Sequence, residues 1–337
     1  MKTPHETHPM PSSAHKFGQP ANGSINAIIH QNCSQRLFVP PIAWTTAHLD
    51  FLNIGFDRLD EQPQTKAKQS ESLQVGIATA EQSQSDNERL WLYMQNLDGI
   101  CAQSRKHIIR EFLEPFGIEI AEQPRTESTP QVQDPEEEQG KIFAIQDNGF
   151  FFRVGGPGDY AAARVGFQFG KKIMSRASVR PDGIFKQKST GRYIAYVQFD
   201  TISLRRKHHI LFRNKKQSTK RQAQSILPSE MGEDPYIAGI LVALAQEQRR
   251  RRVALVGDTE HSPGQMVHAI GVKQRVPGKL YIYTALIPDV FLDKLESPSE
   301  FCESPRVSIK YFLLDFTQPV QAANYLWLYW KEVGMIS

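Results

Sequence analysis

Asp182, Gln198 and Asp200 are the residues whose types and spacing could do chemistry. They lie in Arg180-Pro181-Asp182-Gly183-Ile184-Phe185 and, after a polar turn, in Ile194-Ala195-Tyr196-Val197-Gln198-Phe199-Asp200, which reads as a strand hairpin. If the second strand keeps its period of two, Gln198 and Asp200 share a face and can meet Asp182 from the first. Gathered carboxylates suit a hard dication such as Mg2+, which takes oxygen ligands at about 2.1 Å and can turn bound water into a nucleophile. Asp182 and Asp200 are thus the candidate metal ligands, and Asp182, Gln198 and Asp200 the candidate catalytic set. Gln198 weakens that set, because a neutral carboxamide offers one oxygen where a charged ligand is wanted. By itself, Pro181-Asp182-Gly183 also fits a turn entering a strand.

The elements that must position these residues follow the order helix, hairpin, Pro-Asp strand, strand, helix, strand from Glu88 to Asp258. That order and the Pro-Asp hairpin resemble the PD-(D/E)XK nuclease core. The resemblance implies a Mg2+-dependent phosphodiesterase in which the Pro-Asp aspartate and a Glu-x-Lys acid hold the metal. It also implies an accessory acid on the preceding helix, here Glu111 or Glu114. In this chain Gln198 stands at the acid position and Asp200 at the lysine position, so the implied core is degenerate, better suited to an architecture than to a reaction.

Charge along the chain suggests a second kind of site. From Lys171 to Arg221 fifteen Lys or Arg face only Asp182 and Asp200, whereas nine acidic residues between Glu111 and Gly140 face only Arg125. Arg205, Arg206, Lys207, Lys215, Lys216, Lys220 and Arg221 are the candidate nucleic-acid contacts, dense enough to neutralise several phosphates or to serve as a nuclear localisation signal. No RNP pattern, zinc finger or helix-turn-helix accompanies them, so base readout is not expected. The bland account is that the two segments are solvated faces that attract each other.

Other polar groupings carry less. His208-His209 has no carboxylate nearby in sequence and reads as part of the basic stretch. Gly155-Gly156-Pro157-Gly158 lacks the lysine of a P-loop and reads as a turn. Asp258, His261 and Ser262 are adjacent in sequence, which is no sign of a triad, since a triad is set by spatial geometry. Cys33, Cys101 and Cys302 are odd in number and widely spaced, which argues against a disulfide framework and for a reducing compartment. No apolar run approaches the roughly 20 residues that cross a bilayer. The expectation is an intracellular protein, nuclear or cytoplasmic, with no membrane partner.

With 337 residues, 40% hydrophobic, the chain can bury a sizeable core. The expected organisation is a disordered tail at 1–25, a short mixed segment at 26–60 and a polar linker at 61–86. A helical segment at 87–121 and an acidic linker at 122–140 lead to a mixed-sheet core from 141 to 337 with a C-terminal amphipathic segment. The predicted fold class is α+β or α/β, a mixed sheet flanked by helices. Asn148-Gly149 between apolar runs predicts a hairpin. A helix is predicted from Asp234 as cap to about Arg250, closed by Arg249 to Arg252 at its negative end, and Val253 to Val256 is predicted as a strand. A basic connection is expected from Leu204 to Glu230.

Asp234-Pro235-Tyr236-Ile237, Leu241 to Gln248, Tyr281 to Pro288 and Phe291 to Leu295 together resemble uncharacterised proteins of filamentous fungi. That resemblance implies a lineage-restricted role and brings no activity with it. Three functional readings result. The first is a non-catalytic interaction module on a degenerate nuclease-like core, binding nucleic acid or another polyanion through the basic segment and using no cofactor. The second is a Mg2+-dependent phosphodiesterase using Asp182 and Asp200. The third is a scaffold for an unknown protein partner, its basic face covered by the acidic linker.

Overall fold

Tyr193-Ile194-Ala195-Tyr196-Val197-Gln198 is buried at every position, as a strand must be when its sheet is covered on both faces. The chain, seen here in a computed structural model, is described over residues 19–35, 37–59, 102–121, 144–147, 150–153, 163–170, 172–173, 178–213, 227–228, 230–256, 263–273, 278–315 and 319–335. The expected linkers at 61–86 and 122–140, the hairpin turn Asn148-Gly149, the loop 155–158 and the segment 257–262 lie outside the described residues.

In chain order the described strands are β1 (Ile54–Arg58), β2 (Ile118–Ile120), β3 (Ala144–Asp147), β4 (Phe150–Arg153), β5 (Ala163–Val165), β6 (Gln168–Phe169), β7 (Lys172–Ile173), β8 (Gly183–Gln187), β9 (Tyr193–Gln198), β10 (Gln265–Val272), β11 (Lys279–Ile287) and β12 (Val307–Asp315). Seven form one mixed sheet in the order β1-β12-β11-β10-β9-β8-β2, while β3-β4-β5 form a small second sheet. β1 pairs parallel with β12 and β9 with β10, and the other neighbours in the main sheet are antiparallel. It follows that β1, β2, β9, β10 and β12 all point the same way.

Helices cover both faces: α1 (Ile25–Gln31), α2 (Thr46–Leu52), α3 (Ala102–Leu113), α4 (Phe199–Arg213), α5 (Pro235–Val256), α6 (Asp289–Glu296) and α7 (Pro319–Glu332). One core joins α2, α5 and α6 to Ile184, Ala195, Val197 and Tyr283. The other joins α3 and α7 to Phe185, Tyr196, Ile270 and Phe312. The mixed sheet flanked by helices is the predicted fold class.

Helix α5 is the central element. From Tyr236 to Ala245 it is buried all round, the pattern of a helix enclosed by its own domain. At Gly239 an added Cβ would stand 2.6 Å from Pro41 Cβ, so only glycine allows that approach.

Several boundaries differ from expectation. Packing begins before residue 25, since Ala21 N donates to Ser299 O at 2.9 Å and Ser24 caps α1. The segment 26–60 supplies the edge strand β1, so the core starts well before residue 141. Val253 to Val256 continues α5 rather than forming a strand, and β10 follows unannounced. The basic connection begins as a helix, α4, because Phe199, Ile202, Arg206 and Ile210 fall on one buried side.

Arg206 is 3% exposed. Its guanidinium grips Asp234 with two nitrogens, Nη1 donating to Oδ2 at 2.6 Å and Nη2 to Oδ1, while Nε donates to Ile42 O at 3.2 Å. Asp234 Oδ1 also accepts from Tyr236 N at 2.8 Å, capping α5 as its sequence predicts. The four arginines do not end α5 by its dipole alone, because each has a carboxylate. Arg250 and Arg251 both reach the buried Glu247 at 2.7 Å, Arg249 reaches Asp293 and Arg252 reaches Asp289, both at 2.6 Å.

Replacing Asp234 by Asn keeps the cap but strands a buried guanidinium, so it should cost about 3–5 kcal/mol in chemical denaturation. In the D234N background Arg206→Met should cost clearly less than it does alone, and equal costs would dismiss the coupling.

His268, 1% exposed, has Nδ1 3.0 Å from Thr284 Oγ1. Burial, helped by the charge of Arg192, lowers its pKa to about 3. The unfolded chain therefore binds the extra proton first, and stability falls as pH drops from about 6.5 toward 3. Between pH 7 and pH 5 this residue should remove about 2 kcal/mol, a loss absent from His268→Leu when both are unfolded in urea.

Candidate functional site

The Pro-Asp segment enters β8 with Pro181 buried and Asp182 N donating to Tyr196 O at 2.8 Å. This fixes Asp182 beside the point where β9 gives way to α4. Its Oδ2 accepts from Gln198 N at 2.6 Å, and its Oδ1 accepts from Arg205 Nη2 at 3.1 Å. The Thr201 side chain is a further hydrogen-bond partner. One carboxylate thus joins the start of β8, the end of β9 and the first two turns of α4.

The charged partner of Asp182 is Arg205. Arg205 spans from its carboxylate to Arg180 O, and Arg180 N in turn donates to Tyr236 OH at 2.7 Å. From the opposite helix Lys106 lays its stem over Gly183, where an added Cβ would stand 3.2 Å from Lys106 Cε. Burial raises the Asp182 pKa, against the pull of Arg205, the Gln198 N–H and Thr201. Burial likewise lowers that of Lys106, against the pull of Asp182.

Sequence reasoning missed Lys106. The available signal was its spacing, since Lys106, Ile109 and Leu113 lie at i, i+3 and i+7 on one helix face, and Ile109 and Leu113 are fully buried.

Of the predicted catalytic set, Asp182 and Gln198 meet and Asp200 does not join them as expected. The strand ends at Gln198, and Asp200 is exposed in the first turn of α4, where a negative charge suits the helix dipole. Gln198 touches Asp182 through its backbone N–H. Glu111, the first of the two accessory acids, pairs with His107 at 3.1 Å, and Glu114 is exposed in the single turn Glu114–Phe116. Among the described residues no group of three or more His, Cys, Asp or Glu could hold a metal ion. The donor set does not fit Mg2+ on chemical grounds: its one inward carboxylate already neutralises Arg205 and lies in the field of Lys106.

The basic candidates divide in the same way. Arg206 is buried on Asp234, and Arg205 is committed to Asp182 and Arg180 O, so neither offers a free face to a partner. Lys207 is exposed on α4, with His208 beside it. Lys215, Lys216, Lys220 and Arg221 lie outside the described residues. Among the described residues no helix is long and apolar enough to cross a membrane.

Asp182→Ala would leave a buried N–H and a guanidinium without their acceptor and should cost about 2–3 kcal/mol in thermal or urea unfolding, whereas Asp182→Asn, which keeps an acceptor, should cost less. Equal losses would mean that the side chain serves packing alone.

No family model, no curated protein and no solved structure matches the chain.

Proposed function

We propose that the chain is a non-catalytic interaction module on a degenerate nuclease-like sheet, and that it binds a polyanion, nucleic acid foremost, through the outer side of α4 and the basic residues after it. The observation that supports this reading is the state of the Asp182 carboxylate. A phosphodiesterase of the implied type needs that carboxylate and a second acid free to share a dication. Here Asp182 is held by Arg205, the Gln198 N–H and Thr201, and Asp200 stands outside on a helix.

The contacts are Lys207, Lys215, Lys216, Lys220 and Arg221. Arg205 and Arg206 leave the list, because each already neutralises a carboxylate within the fold. The same basic run would serve as a nuclear localisation signal, which gives the nucleus as the place of action.

The test is a gel-shift and fluorescence-anisotropy series with DNA and RNA oligonucleotides across a range of salt. Replacing all five residues by Ala should abolish most binding at low salt and reduce the slope of log K against log salt by roughly four, with the fold intact. No binding by the wild-type chain at low salt would sink the reading. So would Mg2+- or Mn2+-dependent cleavage lost in Asp182→Asn.

A further inference from the structure

Two exposed apolar side chains stand among unpaired charges of opposite sign. Phe301 is 62% exposed and lies between Glu300 and Glu303, both exposed, and neither carboxylate makes an ion pair among the described residues. Leu204 is 54% exposed on the outer side of α4. Lys207 and His208, three and four residues on, share that side of the helix and are exposed with it. Lys207 makes no ion pair among the described residues either. Asp200 sits one turn before Leu204, at the start of α4, so the basic side chains lie beyond Leu204 toward the end of the helix.

Neither apolar group is loosely held. In the loop of Phe301, Asn26 N donates to Pro298 O at 2.8 Å, Ala21 N to Ser299 O at 2.9 Å and Asn26 Nδ2 to Ser299 Oγ at 2.7 Å. A Cβ added at Gly23 would stand 3.0 Å from the Phe301 ring. Leu204 is followed by Arg205 and Arg206, each fixed on a carboxylate of the fold. A pre-ordered aromatic side chain loses little freedom on association, and the charges around it select the partner.

The two patches cannot meet within one copy. The loop 297–306 leads into the first residue of β12, whereas α4 leaves the last residue of β9. Because β9 and β12 point the same way, the patches belong to opposite ends of the sheet, separated by roughly the 20 Å length of a strand. The ion pairs agree, since Arg206 beside the first patch ties α4 to the start of α5, and Asp289 and Asp293 tie α6, which precedes the loop, to its end.

We propose that these patches are the two halves of a head-to-tail contact between copies of this chain, with Phe301 of one copy packed beside Leu204 of the next and Glu300 and Glu303 facing Lys207 and His208. The second copy is the partner because the charges are complementary: acids flank one apolar anchor and bases flank the other. Since the patches differ, the contact is heterologous, and it extends or closes into a ring instead of stopping at a two-fold dimer. One anchor on each side makes it a small, transient contact that salt weakens. It stands apart from the polyanion reading, although Lys207 would serve both.

Sedimentation velocity of the full chain, free of nucleic acid, over a range of concentration and salt is the test. The wild-type sedimentation coefficient should rise with concentration at low salt, and the rise should vanish at about 0.5 M salt. Phe301→Ser, the double variant E300K/E303K and K207E should each weaken association about tenfold or more. An equimolar mixture of E300K/E303K with K207E should recover it, since a charge-reversed loop then meets a charge-reversed helix. A wild-type chain that stays monomeric at every concentration and salt overturns the proposal. Association that survives all three substitutions does so too, as does a mixture no stronger than its components.

Discussion

The buried pair of Arg206 and Asp234 lies where three segments meet: the outer helix α4, the first turn of α5, and the turn that carries Ile42. Removing two charges from water is expensive, and the cost is recovered only when the geometry is good and every remaining donor is satisfied. Here both guanidinium nitrogens that face Asp234 are used, Nε finds a carbonyl, and Asp234 still caps α5. The pair ties α4 to the start of α5 and to the turn that carries Ile42, and Arg205, one residue earlier, reaches Asp182.

The same device recurs at the other end of α5. Glu247 is fully buried, and it is held by Arg250 and Arg251, while Arg249 and Arg252 tie the helix to α6 through Asp293 and Asp289. Burial pushes the Glu247 pKa up and the two arginines oppose the shift. Along the buried part of α5, Gly239 packs closely against Pro41, and at its two ends the contacts are ion pairs. Charged ties at both ends add to that packing in fixing the register of the helix, a role for ion pairs whose net stabilisation is small.

This use of charge explains what could and could not be read in the sequence. The strands of the Pro-Asp hairpin were legible from their apolar residues, and α5 was legible from Asp234-Pro235 and the run after it. α4 was not, because its inward stripe Phe199, Ile202, Arg206, Ile210 contains an arginine, and periodicity counts a charged residue as exposed. β10 was obscured by His268, which sits in the interior as a neutral ring. Val253 to Val256 looks like a strand by composition, but four paired arginines before it carry the helix onward. Local sequence shows that a residue is charged and is silent about where its counter-ion lies, here 28 residues away for Arg206 and 23 for Arg205.

The site was half legible for the same reason. Pro181-Asp182-Gly183 and the strand to Gln198 fold side by side as their pattern requires, so the hairpin was readable from the residues alone. Whether its carboxylate faces a metal or a cation of the chain depends on α3 and α4, which approach from sequence positions on either side of the hairpin. A carboxylate at the mouth of a sheet has two ways to be neutralised, by a dication that needs several acids or by basic side chains that need only one. With Gln198 neutral and Asp200 turned out on the first turn of α4, the second way is the one these residues can satisfy. The consequence lies in what holds the carboxylate: one that shares a dication needs a second acid beside it, whereas Asp182 is paired with Arg205 and hydrogen-bonded by the Gln198 N–H.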